Sequence, residues 1–195
     1  MSFAPPPGVR RRAGVLMLFG ESGSGPDVLL TERAAGLRAH AGQVAFPGGA
    51  VDPEDSGPVA AALREAGEET GLDPAGVEAT ASFPELYVPV SDYVVTPVLA
   101  WWREPGPVAP VDLGEVARVV RVPVAELLDP VHRFRVRHSS GLRGPGFRAG
   151  GLFVWGFTAG VLDVLFRLAG WELPWDDGQV EDVPLLGQPP RQETR

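Results

Sequence analysis

The stretch that decides the fold is GQVAFPGGAVDPEDSGPVAAALREAGEETGL, which occupies residues 42–72. Its second half contains Glu65, Glu68 and Glu69, so that three carboxylates fall within five residues. Like charges at helical spacing repel one another and cost stability unless a positive group lies among them. The stretch therefore raises the question of which cation these side chains are arranged to hold.

A helix is predicted from Pro58 to Thr70, because proline suits the first turn, alanine and leucine dominate, and a glycine follows at the end. On that helix the three glutamates fall within about one 100° arc. Their hard oxygen atoms would suit Mg²⁺ or Mn²⁺. A solvated acidic face is the alternative interpretation. The preceding Gly48-Gly49 pair favours the metal site, since it allows close backbone approach and ligation by a backbone carbonyl.

Composition limits the class of protein. The chain has 195 residues, 44% of them hydrophobic, which is enough for one domain with a sizeable core. A net charge of −8 argues against a general nucleic-acid binder, and no apolar run is long enough to span a bilayer. Without cysteine there is no disulfide framework, thiolate zinc site or cysteine nucleophile. The N-terminal residues do not resemble a secretory signal, so the cytoplasm is the expected compartment.

Strands are predicted on both sides of this stretch. Residues 13–20 and 27–34 form two apolar segments joined by a turn, and GQVAF is a short strand before a break at Pro47-Gly48-Gly49. Further strand patterns follow the helix, ending with HRFRVRH and GLFVWGF. Residues 157–171 have apolar side chains at helical spacing and predict a second helix.

The order of these elements predicts a mixed α/β fold rather than repeating βαβ units. We expect one domain over residues 13–171. Residues 1–12 are expected to form a flexible arm, and residues 172–195 an irregular acidic tail.

The segment from Gly49 to Leu72 resembles the Nudix box. Its second half, Arg64-Glu65-Ala66-Gly67-Glu68-Glu69-Thr70-Gly71-Leu72, matches that motif at every fixed position. Its first half departs from it, because the acid is Asp55 rather than glutamate and the gap to Arg64 is one residue longer. The role of Asp55 is therefore left open. The resemblance implies a Nudix fold, a mixed β-sheet sandwiched between helices with the box as loop–helix–loop.

The upstream residues 29–49, LLTERAAGLRAHAGQVAFPGG, are similar to the signature of coenzyme A diphosphatases within that superfamily. That subgroup often shares the aspartate and the longer spacing. The late block VWGFTAGVL, residues 154–162, also resembles it. The resemblance implies hydrolysis of the diphosphate of coenzyme A or its derivatives, a pyrophosphatase reaction that depends on Mg²⁺ or Mn²⁺.

The resemblance also implies the site residues. Glu65 and Glu69 are the leading metal ligands, Glu68 is the third, and the Gly49 carbonyl is a backbone ligand. Arg64, at i,i+4 to Glu68, would hold a carboxylate in place. Arg33, Arg38, Gly48 and Gly49 are the candidates for binding substrate.

The general base is less well defined by the sequence. Glu85, in the β-rich stretch after the helix, is a candidate for the base. Glu85, Glu65 and Arg64 are the predicted catalytic residues. Asp92 and Glu115 are further candidates, and each of these carboxylates is also explained as an ordinary surface group.

Two alternatives remain open. One is a Nudix hydrolase of another nucleoside diphosphate derivative, such as ADP-ribose or a dinucleotide. The other is a non-catalytic Nudix-fold module that senses a nucleotide. In each case the expected partner is a small nucleotide, with neither nucleic acid nor membrane, and the resemblance also allows for a homodimer.

Overall fold

A computed structural model describes residues 8–9, 11–37, 40–138 and 141–183. In these ranges the chain forms two β-sheets and three α-helices. The strands are Arg12–Ser22 (β1), Gly25–Arg33 (β2), Val44–Ala45 (β3), Gly48–Ala50 (β4), Val77–Ser82 (β5), Leu86–Val88 (β6), Tyr93–Trp102 (β7), Val116–Pro123 (β8), Arg133–Arg137 (β9), Arg143–Ala149 (β10), Leu152–Val154 (β11) and Val180–Asp182 (β12). The helices are Pro58–Thr70 (α1), Val124–Leu128 (α2) and Gly156–Leu168 (α3).

The larger sheet is built around β1, in the order β3-β2-β1-β7-β5, with β4, β6 and β8 attached to it. β1 runs parallel to β7, and the remaining pairings in this sheet are antiparallel. The side of β1 away from β7 is shared by two strands. β2 pairs with its last residues from Phe19 onward, and β4 pairs with Ala13, Gly14 and Val15. This division places β4 beside the predicted carboxylate helix.

Helix α1 packs directly onto β1. Its buried positions include Ala61, Ala62 and Ala66, so a small-residue face meets the sheet. A Cβ on Gly14 would lie 2.0 Å from the Pro58 carbonyl oxygen, which explains why glycine is needed where the helix starts. The helix ends at Gly71, whose N–H donates to the Gly67 carbonyl.

The sheet is covered on both faces. On one face α1 joins a cluster with Leu16, Leu18 and Leu29. On the other face α3 and the second sheet, in the order β11-β10-β9-β12, join a cluster with Met17 and Val28. The alternation of buried residues along β1 thus supplies both clusters. The predicted fold class, a mixed sheet between helices, is confirmed.

Several local expectations differ from the structure. The break expected at Gly48-Gly49 is the strand β4, because those residues pair with β1. The second predicted helix, expected over residues 157–171, is α3, which begins at Gly156 and ends at Leu168. The tail expected to be irregular contains β12, which pairs in parallel with β9. Of the expected arm, Arg12 begins β1, while residues 1–7 and 10 lie outside the described residues.

No helix among the residues that the structure describes has the length and apolar character needed to cross a membrane.

Candidate active site

The site forms where α1 passes over β4. The Gly48 N–H donates a hydrogen bond of 3.2 Å to Oε2 of Glu69. A Cβ at position 49 would lie 2.5 Å from the Glu65 carboxylate, so a side chain there would displace this carboxylate from its place against the backbone. Glu65 and Glu69 are one helical turn apart and both face β4. The structure therefore brings together four predicted site residues, Gly48, Gly49, Glu65 and Glu69.

Both carboxylates are held in an environment that disfavours their charge. The Glu69 side chain is 11% exposed, and burial is the main reason that its pKa is raised to about 7. The Gly48 N–H and the Arg33 charge oppose this rise, while Glu65 and Glu115 add to it. The pKa of Glu65 is also raised, mainly by burial.

This donor set fits a divalent cation. Two neighbouring, partly buried carboxylates repel each other, and a cation between them would remove both the repulsion and part of the cost of burial. Within the described ranges, no three acidic or histidine side chains converge as a ready-made metal cluster. The structure therefore offers two side-chain ligands on one helix beside a glycine backbone, and the substrate or further groups would complete the coordination.

Glu68 differs from the other two glutamates. Its side chain is 60% exposed, and it accepts a hydrogen bond of 3.0 Å from Nη1 of Arg64. It thus lies at the solvent side of α1 and is engaged by an arginine. Its assignment as a third metal ligand stays a prediction.

Arg64 ties the loop before α1 to the helix. Its Nε and Nη2 donate to the two carboxylate oxygens of Asp55 at 3.2 and 3.0 Å, and Nη2 also donates to the Ala50 carbonyl. Its Nη1 donates to Glu65 at 3.1 Å. These contacts raise the pKa of Arg64 and lower that of Asp55. Arg64 thus joins the loop, the end of β4 and Glu65, and its assignment as a catalytic residue stays a prediction.

The sequence did not show what Asp55 does, and the structure shows that it pairs with Arg64. Its side chain is 6% exposed and accepts both the bidentate Arg64 contact and the Asp52 N–H. An acid a few residues after the glycine pair and nine residues before an arginine was the available signal. The Ala50 carbonyl also accepts a hydrogen bond from Arg64, and no residue type could predict this contact. Every residue has a backbone carbonyl, so only the path of the chain places this one beside the arginine.

Arg33, predicted to bind substrate, lies next to the carboxylates. Its Nη1 is 3.9 Å from Oε1 of Glu69, and its side chain is 33% exposed. Its Nε is buried and has no hydrogen-bond partner within the part of the chain that the structure describes. The other predicted arginine, Arg38, lies outside the described residues.

The candidate bases occupy different surroundings. Glu85 is paired with Arg12 at a distance of 2.5 Å, and Asp92 accepts a hydrogen bond from the Tyr87 hydroxyl. Glu115 lies close enough to raise the pKa of Glu69. The charge of Glu115 therefore acts on Glu69, while Glu85 is held by an arginine at the start of β1.

Comparison with known proteins gives consistent results. A family model described as the NUDIX domain matches residues 8–141. The uncharacterized Nudix hydrolase NudL of Cronobacter sakazakii is 41% identical over 150 residues, covering 70% of this chain and 72% of that protein. The uncharacterized NudL of Escherichia coli K12 is 40% identical over 148 residues, with the same coverage.

Two solved structures show the likeness of fold. The Nudix hydrolase RenU from M. smegmatis has a TM-score of 0.59 and 22% identity, covering 86% of this chain and 90% of that one. A Nudix hydrolase from Alicyclobacillus acidocaldarius has a TM-score of 0.50 and 19% identity, covering 80% and 91%. At these identities the two structures bear on the fold alone.

Proposed function

The chain belongs to the Nudix family, and we propose that it hydrolyses the diphosphate linkage of coenzyme A or its derivatives. Membership makes it a hydrolase of a nucleoside diphosphate derivative that works with a divalent cation. The identity of the nucleotide is the finer step. The proposed products are adenosine 3′,5′-bisphosphate and 4′-phosphopantetheine, acylated where the substrate is an acyl thioester.

The observation that carries the substrate proposal is where the upstream signature lies. Residues 29–49 resemble the coenzyme A diphosphatase signature, and two of their members flank Glu69 in space. Arg33 lies 3.9 Å from Oε1 of that carboxylate, and the Gly48 N–H donates to Oε2. The signature thus lies beside a carboxylate that we propose as a metal ligand, which supports a role in choosing the substrate.

We assign Glu65 and Glu69 as the side chains that hold Mg²⁺ or Mn²⁺, with the Gly49 carbonyl as a backbone ligand. The cation, when bound, neutralises charge on the diphosphate oxygens and polarises phosphorus. Arg64 keeps the Glu65 carboxylate in place through its contacts with Asp55 and Ala50. The glycine pair lets the backbone of β4 lie against β1 and against the Glu65 carboxylate.

In the proposed reaction a water oxygen forms a bond to one phosphorus and the bond from that phosphorus to the bridging oxygen breaks. The bridging oxygen leaves with the other phosphate, and a general base takes the proton of the water. Glu85, Asp92, Glu115 and Glu65 are the candidates for this base. The electrostatic effect of Glu115 on Glu69 favours Glu115 as the base. Glu85, in contrast, would first have to separate from Arg12.

The test is a hydrolysis panel with Mg²⁺ or Mn²⁺, with products separated by chromatography. It would include coenzyme A, acetyl-coenzyme A, dephospho-coenzyme A, ADP-ribose and NADH. Adenosine 3′,5′-bisphosphate formed from coenzyme A, faster than products from the last three substrates, is the expected result. Faster cleavage of ADP-ribose or NADH would replace the substrate proposal by the broader nucleotide alternative. Ligand-induced stabilisation without any product would favour a sensor.

The same preparation serves to examine the oligomeric state. A homodimer is proposed from the resemblance alone, and light scattering at the concentrations used for the panel measures the mass directly.

A further inference from the structure

The Arg33 guanidinium is placed in the site with unused hydrogen-bonding capacity. Its Nε–H is buried and lacks an acceptor among the described residues, which is an unfavourable state for a charged donor. Oε1 of Glu69 is 3.9 Å from Nη1, beyond hydrogen-bond distance. The arginine therefore attracts Glu69 through charge without forming a directional bond to it.

The backbone of Arg33 is held firmly while its side chain is less constrained. The Arg33 N–H donates to the Gln43 carbonyl at 2.9 Å, and its carbonyl accepts from the Gly42 N–H at 3.1 Å. The register of β2 against β8 also shifts between Glu32 and Arg33. This fixed backbone places a long, partly exposed side chain beside Glu69.

We propose that Arg33 is a positioning residue that changes partner during the catalytic cycle. Without a cation it balances the charge of Glu69; once a cation is bound there, its guanidinium turns to the diphosphate of the substrate. This inference rests on the proposed function only in requiring a substrate that carries a diphosphate.

The charges at the site support this exchange. A cation bound by Glu69 would repel the guanidinium, and the same cation would bring the anionic oxygens of a diphosphate to that carboxylate. A planar guanidinium can donate two parallel hydrogen bonds to a phosphate, including one from the Nε–H that has no acceptor now. The same arginine is thus suited to both partners, and the bound cation decides between them.

Three variants separate the two roles. Arg33→Gln removes the charge, and Arg33→Lys keeps the charge but loses the planar fork. Arg118→Gln is the matched control, because Arg118 lies on the neighbouring strand β8 and its side chain contacts Glu32 and the Gly150 and Gly151 carbonyls instead. Thermal melting of each variant without metal shows whether it is folded.

The first measurement is Mn²⁺ binding by titration calorimetry without any substrate. Arg33→Gln is expected to bind Mn²⁺ about threefold more tightly or better than the unmodified protein, because a competing positive charge is gone. Arg33→Lys and Arg118→Gln are expected to match the unmodified protein. Equal or weaker Mn²⁺ binding by a folded Arg33→Gln protein would overturn the first role.

The second measurement uses methylenediphosphonate, a diphosphate analogue that cannot be hydrolysed, at saturating Mn²⁺. Its affinity is expected to fall roughly tenfold or more in Arg33→Gln, by less in Arg33→Lys, and not in Arg118→Gln. Unchanged affinity in Arg33→Gln would overturn the second role. Because this probe contains no part of coenzyme A, failure of the substrate proposal in the hydrolysis panel leaves this test intact.

Discussion

At the scale of single residues, Glu68 and Glu69 are neighbours in sequence with opposite surroundings. Glu69 is 11% exposed and bonded to the Gly48 N–H, whereas Glu68 is 60% exposed and bonded to Arg64. The same residue type therefore serves two purposes one position apart. Burial beside Glu65 makes Glu69 the carboxylate with the most to gain from a bound cation.

This difference predicts unequal effects of the same substitution. Glu69→Gln is expected to reduce kcat/KM by on the order of a hundredfold or more at saturating Mg²⁺, because the proposed ligand to the catalytic cation is lost. Glu68→Gln is expected to cause a much smaller loss. Steady-state kinetics of the two variants on the best substrate of the panel make the comparison. Near-normal turnover by Glu69→Gln would rule out the ligand assignment.

The sequence predicted which residues lie together at the candidate site better than it predicted their contacts with the rest of the chain. Glu65, Glu69 and the glycine pair were predicted from helical spacing and from the lack of Cβ atoms, both of which are local properties. The pairing of Arg33 with Glu69 joins the end of β2 to α1, and such a contact depends on the three-dimensional path of the chain. Asp55 stayed unassigned because its distance to Arg64 in space depends on how the chain turns into α1 at Pro58, and the sequence does not show that turn.

At the scale of elements, the loop before α1 is held to the helix by one arginine. Arg64 contacts the Asp55 carboxylate and the Ala50 carbonyl, so the end of β4, the loop and the helix are joined at a single side chain. The Arg64 hydrogen bonds keep the pKa of Asp55 below its ordinary value, and the folded state therefore favours the ionised form. The loop should accordingly become less stable in acid.

The lowered pKa of Asp55 determines how the stability of the protein changes with pH. Above about pH 4 the carboxyl is ionised in both folded and unfolded chains, and its full contribution to stability is present. As the pH falls through the lowered pKa of the folded state, this contribution is lost. Asp55→Asn is expected to lower the urea midpoint at neutral pH, and the gap to the unmodified protein should narrow below pH 4. A gap that stays constant with pH would contradict the role given to this carboxylate.

The elements predicted well were those with a strong local pattern. Helix α1 has the bounds expected from its proline, its alanines and its final glycine. Strand β4 was missed because two glycines have weak strand preference and only pairing with β1 makes them a strand. Strand β12 was missed because its acidic residues suggested a tail. Glu181 pairs with Arg148, and Asp182 pairs with Arg137 at 2.7 Å.

At the scale of the whole molecule, the second sheet is fastened to the first through α3. Phe166 of α3 is fully buried and meets Phe147 of β10 edge to face, with ring centroids 6.2 Å apart. Thr158, near the other end of the helix, donates to the Val44 carbonyl at 3.0 Å. The helix thus links β10 of one sheet to β3 of the other.

Removing the aromatic contact should weaken the molecule without altering the carboxylate pair. Phe166→Ala is expected to lower the free energy of unfolding by about 3–5 kcal/mol, through lost burial and the cavity left behind. Leu168→Ala, on the same helix but 74% exposed, is the control and should change it by less than about 0.5 kcal/mol. Urea unfolding measures both, and similar values for the two variants would contradict the packing described.

The parallel pairing of β1 with β7 also determines when the enzyme can assemble. In that ladder Arg12 is paired with Val94 and Phe19 with Trp101. The central strand β1 therefore cannot form this ladder until β7, which lies about 80 residues later in the chain, has been synthesised. On the ribosome, β1 and α1 emerge first, and the long loop between the paired strands must close before the sheet exists. Such distant pairing slows folding. Glu65 and Glu69 are therefore synthesised before β7, but the nascent chain can acquire its catalytic geometry only after residue 102 has emerged from the ribosome.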